Sequence, residues 1–244
     1  MKWRFLYRAF KARFRDQRSE ILAARSFVRP GTIVVDVGAN KGAYLYWLRK
    51  GVGATGKVFA YEPQPGLAKY LSAICSTLDW QNVLVRDCAL SNTVGSALLN
   101  VPGKTDSPGA SLELGALEGR EGNAYSCNLD TLDHQLLGEG RISFLKVDVE
   151  GHELAVFQGG KELLVRDGPV LLFECEARHL RQHDMSAVFS FLHGLGYEGQ
   201  FFASDGLRPL TEFDPATHQK KNSERFWDAD DYCNNFLFTR ATDG

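Results

Sequence analysis

Four titratable side chains fall within the six residues Asp148-Val149-Glu150-Gly151-His152-Glu153, directly after an apolar run that carries Lys146. Histidine and carboxylates are the groups that move protons near neutral pH, and clustered carboxylates also suit a hard, oxygen-seeking cation. Acids in a first helical turn complement the helix dipole. That accounts for Glu150 and Glu153 but leaves Lys146, Asp148 and His152 unexplained. A second constellation is Asp36-Val37-Gly38-Ala39-Asn40-Lys41-Gly42, where glycines allow close approach of backbone to a ligand and free N–H groups follow at a helix start. Glu62 lies 26 residues beyond Asp36. An acid near that distance in a strand–helix–strand unit accepts hydrogen bonds from the ribose hydroxyls of a nucleoside. Asp87 either accepts from the exocyclic amine of an adenine, with Ala89 and Leu90 giving apolar contact, or caps its own turn.

These residues need strands to deliver them. Thr32–Val37 is rich in β-branched residues and reads as a fully buried strand, followed by a helix over 43–50 with Asn40 as its N-cap. Lys57–Glu62, Asn82–Arg86, Ile142–Val147 and Val170–Phe173 read as further buried strands, the last ending in Glu174. Each tip carries an acid, and open parallel sheets bind ligands at those tips. Short strands over 96–101 and 124–128 interrupt the alternation and flank a Gly/Ser/Pro-rich stretch, 102–123, that reads as a substrate-side flap. The final strands, 197–203 and 234–240, are joined by a second long polar loop, 204–233. Residues 1–28 form a basic amphipathic helical segment ahead of one domain over 29–244. Its Trp3, Leu6, Tyr7, Phe10 and Phe14 share one stripe, expected to pack on the domain; contact of residues 1–18 with an anionic membrane surface or an acidic partner is the sharper reading.

The chain of 244 residues suits one domain with a substantial core. Formal charge is −2, but residues 1–18 hold seven bases and one acid, which leaves 21 bases against 29 acids, a net −8, in the remainder. An acidic body disfavours nucleic acid as a partner. Five cysteines, an odd number without a C-x-x-C pair, suggest neither a zinc cage nor a disulfide scaffold and fit a cytoplasmic setting. No apolar run is long enough to cross a bilayer.

The D-x-G-A-N-x-G turn, Glu62-Pro63, Leu132-Asp133, the run from Lys146 to Glu153, Gly159-Gly160 and the strand ending in Glu174 occur in that order. In this combination the chain resembles the FkbM-type S-adenosylmethionine-dependent methyltransferases from about Gly31 to Arg240. The resemblance implies an α/β fold with a Rossmann-like, seven-stranded, mostly parallel sheet, helices on both faces and an antiparallel last strand. It implies O-methylation of a hydroxyl on a sugar, glycan or natural-product acceptor. Asp36, Gly38, Asn40 and Gly42 would then line the methionine end of the donor, with Glu62 on the ribose and Asp87 and Ala89 at the adenine. The turn departs from G-x-G-x-x-G, and Asp36 beside it would repel a pyrophosphate; both points favour S-adenosyl-L-methionine over NAD.

An alcohol resists ionisation, so methyl transfer to it needs help with the proton. In one arrangement His152 or Asp148 takes the proton, with Lys146 in the same cluster. In the other, Asp148, Glu150 and Glu174 bind Mg²⁺. The rival readings are an NAD-type oxidoreductase, which would want a Tyr-x-x-x-Lys pair after the middle strand, and a non-catalytic Rossmann-like scaffold.

Overall fold

The computed structural model describes residues 1–240 except 104, 108, 114, 118–120, 181–182, 222–225, 227–228 and 230. Parts of both predicted loops therefore lie outside the described residues. The chain opens with α1 (Lys2–Lys11), a π-helical turn over Ala12–Asp16 and α2 (Arg18–Phe27). Strand and helix then alternate through β1 (Ile33–Val37), α3 (Ala43–Val52), β2 (Lys57–Tyr61), α4 (Pro65–Thr77) and β3 (Val83–Arg86). The alternation breaks at β4 (Ala89–Leu90), β5 (Gly95–Pro102) and β6 (Gly122–Asp130). It resumes with α5 (Leu132–Leu136), β7 (Ile142–Val147), α6 (Glu153–Gln158), α7 (Lys161–Asp167) and β8 (Val170–Glu174). The chain continues with α8 (Met185–Gly194), β9 (Tyr197–Ala203), β10 (Gly206–Pro209), α9 (Pro215–His218) and β11 (Asn235–Arg240).

The main sheet has the order β10-β9-β11-β8-β7-β1-β2-β3. Strands β3, β2, β1, β7 and β8 are parallel, while β11 runs antiparallel to both β8 and β9. The described residues form eight strands in this sheet rather than the expected seven, because Gly206–Pro209 folds back as an exposed edge strand on β9. β4, β5 and β6 make a separate small sheet. Alternate residues of each central strand feed opposite cores. Val34, Val58 and Phe144 pack with α2, α3 and α4; Val35, Val37, Leu145 and Val147 pack with α5 to α8. Burial on both faces is why these strands read as continuous apolar runs.

The strand order reverses between β1 and β7, which pair in parallel from Ile33↔Ile142 to Val37↔Val147. A crevice opens at such a switch point, beyond the carboxyl ends of the strands. The N-terminal helices close one side of it. Phe5 and Ala9 are buried, and the Trp47 indole N–H donates to the Ala9 carbonyl at 2.8 Å. A side chain at Gly42, whose φ is +77°, would meet Phe5 and Leu71 within 3 Å, so this glycine serves helix docking.

The expected packing of the aromatic stripe holds for Phe10, whose ring lies 5.4 Å from Trp47 and 5.7 Å from Tyr46, and fails for Trp3, Tyr7 and Phe14. Trp3 is 80% exposed, Tyr7 68%, Phe14 64% and Phe10 42%; Phe5, Ala9 and Ala12 are what the domain covers. Two small residues let the helix backbone lie close to Trp47, and only the one aromatic between the basic positions finds a hole.

Candidate functional site

Three turns at neighbouring strand tips build the site. After β1, the Gly38 backbone has φ +74°, and a Cβ there would lie 1.9 Å from the Asp148 carbonyl oxygen. The turn after β1 can therefore lie against the turn after β7 only with glycine at this position. Asn40 takes a left-handed conformation and donates its backbone N–H to Glu62 Oε2 at 2.7 Å. It does not cap the helix; the N-cap of α3 is Gly42. Glu62 Oε1 accepts from the Gln64 backbone N–H at 2.9 Å. Burial pushes the Glu62 carboxyl up to about 7 against these hydrogen bonds. Each oxygen keeps a lone pair for a further donor.

After β7, Glu150 has φ +56°, uncommon for a bulky residue. The turn is held by the Gly151 N–H donating to Glu153 Oε1 at 3.0 Å and by Glu150 pairing with His179 at 2.8 Å. Burial raises Glu153 to about 8. Lys146 sits at the centre, 3.2 Å from Asp148 Oδ2, 3.7 Å from Asp36 Oδ1 and 3.3 Å from the Gly38 carbonyl oxygen. Burial opposes its charge, yet Asp148 and Asp36 hold its pKa above the ordinary lysine value.

His152 is engaged at both ring nitrogens. Nδ1 is 2.9 Å from Glu113 Oε1 and Nε2 is 2.9 Å from Ser91 Oγ. A tautomer with its proton on Nδ1 donates to Glu113 and accepts from Ser91. Glu113 belongs to the predicted flap, whose described residues fold over the site. The Ser111 hydroxyl donates to the Glu150 carbonyl at 2.6 Å, and Ser107 exchanges two hydrogen bonds with the Gln64 side chain.

The result is one cavity of about 320 Å³. It brings together Gly38, Asn40, Glu62, Ala89, Lys146, Asp148, Glu150, His152 and Glu174 of the residues expected from sequence. Asp36, Gly42 and Asp87 do not line it. Asp36 is fully buried behind the cavity with neither carboxylate oxygen hydrogen-bonded, and burial raises its pKa. Asp87 is exposed beyond the end of β3; its neighbours Cys88, Ala89 and Leu90 supply the apolar wall instead. Gln17, Tyr44, Gln64 and the flap residues Ala110 and Leu112 also line the cavity, and none of them is among the residues expected from sequence. Only Gln64 had a local signal, its place just after Glu62-Pro63. No residue of the 204–233 loop lines the cavity among those described; Gln219 and Tyr232 bond to Cys175 and Glu176 instead.

The donor set weighed for Mg²⁺ does not fit a cation. Among the described residues no three His, Cys, Asp or Glu side chains are grouped to hold a metal ion. Asp148 is paired with Lys146 and Glu150 with His179. Burial raises Glu174 well above the usual carboxylate range, and it shares a hydrogen bond with Glu176.

A parallel sheet reversing at β1/β7, an antiparallel β11 inserted beside β9 and a cavity over the strand tips define the Rossmann-like methyltransferase fold. The chain belongs to the FkbM methyltransferase domain family, whose description matches residues 36–198, more than half of the sequence. Helices α1 and α2 and the strands after Glu198 lie outside that match. Among solved structures, the methyltransferase FkbM from Methylobacillus flagellatus KT is similar at 18% identity and a TM-score of 0.53, over 86% of this chain and 43% of that one. The chain thus spans less than half the length of that relative. A putative rRNA methylase from Clostridium thermocellum is similar at 12% identity and a TM-score of 0.53, covering 92% and 94% of the two chains. Identities this low show the fold alone. No curated protein sequence matches the chain.

Proposed function

We propose that this chain transfers a methyl group from S-adenosyl-L-methionine to a hydroxyl of a sugar, glycan or other small-molecule acceptor, with Asp148 accepting the hydroxyl proton. The observation that carries the reading is the convergence of Glu62 and Asp148 on one cavity with an apolar wall at Cys88–Leu90. Glu62 has lone pairs free for two ribose hydroxyls, and the apolar wall suits an adenine. The ionised Glu62 carboxylate on the cavity wall favours a sulfonium cation and opposes a pyrophosphate. Asp36 faces Lys146 rather than the cavity and does not act on a bound ligand directly.

The bound donor supplies an electrophilic methyl group and keeps the carbon–sulfur electron pair as it becomes a thioether. The protein's share is alignment and proton transfer. Holding an acceptor oxygen in line with the methyl carbon accounts for about 7–11 kcal/mol of barrier lowering in well-oriented systems. As that oxygen bonds to carbon, its proton passes to the Asp148 carboxylate, which Lys146 fixes at 3.2 Å. His152 is less suited to the task, because Glu113 and Ser91 already occupy both its nitrogens. Its role is to hold the flap closed against water.

The test is Asp148→Asn, assayed for methyl transfer from labelled donor across sugar and glycolipid acceptors and for binding of S-adenosylhomocysteine by calorimetry. Turnover should fall by about 10²-fold or more, with product binding retained within a few-fold. Near-normal turnover in the variant rejects Asp148 as the base. Binding of NAD in preference to S-adenosylhomocysteine rejects the methyl donor.

A further inference from the structure

We propose that α1 and the π-helical turn after it form an interfacial anchor that lays the protein on an anionic lipid bilayer. Trp3, Tyr7, Phe10 and Phe14, spaced four, three and four residues apart, make one ridge: Trp3, Tyr7 and Phe14 face solvent, while Phe10 is less exposed and leans on Tyr46 and Trp47, with ring centroids 5.7 and 5.4 Å away. The opposite face is committed to the domain through Phe5, Ala9 and Ala12, so the ridge cannot turn inward. Phe10 and Phe14 stack on each other with ring centroids 6.0 Å apart. Cations flank the ridge. Lys2, Arg4, Arg15 and Arg18 are exposed, and Arg13 lies over the Phe14 ring at 5.0 Å.

Aromatic side chains favour the headgroup level of a bilayer, and long basic side chains keep their charge in water while their stems lie along the apolar layer. Seven bases against one acid in residues 1–18 complement an anionic surface, while the remaining chain carries −8 and is repelled from it. That opposition sets an orientation with the helix towards the lipid. A cleft bordered by Arg4, Arg8, Lys41, Tyr70 and Asp106 opens beside the ridge, and Lys41 also lines the 320 Å³ cavity. Docking therefore brings that flank of the site to the membrane surface. A second copy is a poorer occupant, because a two-fold contact through a ridge this narrow sets like charges against each other. RNA is poorer too: the aromatics stand on a ridge rather than in a basic groove, and the body is acidic.

The experiment is flotation of the 244-residue chain with vesicles of phosphatidylcholine alone and of phosphatidylcholine containing phosphatidylglycerol. Wild-type protein should partition at least tenfold more strongly onto the anionic vesicles, and added salt should weaken it. The combined variant Trp3→Ser/Tyr7→Ser/Phe14→Ser should lose flotation while binding S-adenosylhomocysteine and melting as wild type does. Lys2→Glu/Arg4→Glu should lose it on the anionic vesicles. Absence of flotation on anionic vesicles, equal partition onto neutral ones, or flotation by the triple serine variant overturns the proposal. A dimer in solution that this variant dissociates, or RNA binding that it abolishes, overturns it as well.

Discussion

Glu62→Gln separates the loop clamp that the structure shows at this residue from the ribose contact proposed for it. The carboxylate accepts one backbone N–H on each oxygen, from Asn40 at 2.7 Å and Gln64 at 2.9 Å. A glutamine offers one accepting oxygen and one amide that donates, so one of those N–H groups faces a donor in a buried site. That costs about 1–3 kcal/mol of stability whether or not a ligand is present. The affinity reports a different quantity, the hydrogen bond from a ribose hydroxyl to a charged acceptor, about 1.5–3 kcal/mol. Calorimetric affinity for S-adenosylhomocysteine should therefore fall about 10- to 150-fold. The pH dependence gives a second readout. Burial holds Glu62 up to about 7 in the free protein, and hydroxyl donors need its ionised form. Wild-type binding should be about tenfold weaker at pH 6 than at pH 8, and the variant should show no such slope. The stability of the free protein moves the opposite way. A folded carboxyl above its ordinary value binds its proton more tightly than the unfolded chain does, so its contribution is present at low pH and lost as pH rises through about 7. Binding within threefold of wild type, with the same pH slope, would refute the ribose role and leave Glu62 as a loop clamp only.

Two further perturbations test the charges beneath the cavity. Lys146→Met removes the ammonium 3.7 Å from the buried Asp36 and should cost about 3–5 kcal/mol in chemical denaturation. Because burial already raises Asp36, the loss should be smaller at pH 5 than at pH 8, and adding Asp36→Asn should restore much of it; a single variant as stable as wild type would refute the pairing. Burial holds Glu153 at about 8, above its unfolded value, so its contribution is full below about pH 4.5 and lost as pH rises through 8, on the order of a few kcal/mol. Glu153→Gln keeps an acceptor for the Gly151 N–H and should flatten wild-type stability between pH 6 and 9; an unchanged slope means the proton is held elsewhere.

How much of this was legible in the sequence depends on what a local pattern can encode. β1, β7 and β8 were readable because strands covered on both faces must be apolar at every position. The acids at their ends stood out against that background. The partners of His152 were not readable. Ser91 and Glu113 lie 61 and 39 residues away, and the flap carrying Glu113 has no period to place it. The N-terminal helix showed its amphipathicity but not which side would pack, because Ala9 and Ala12 give no hydrophobic signal to match four aromatics. Asp36 was misread for a geometric reason. Glu62 and Asp148 each stand one residue past the end of β2 and β7, where the chain leaves the sheet and a side chain can face the crevice. Asp36 is still inside β1, in register with Ala60 and Lys146 on its two neighbours. The pleat turns it, like Val34 two residues earlier, towards a helix layer. A shift of one residue along a strand thus changes an acid from a cavity-lining group to the counter-charge of Lys146, and spacing along the sequence does not resolve that shift. Asp36 acts on the cavity only through Lys146, which places Asp148.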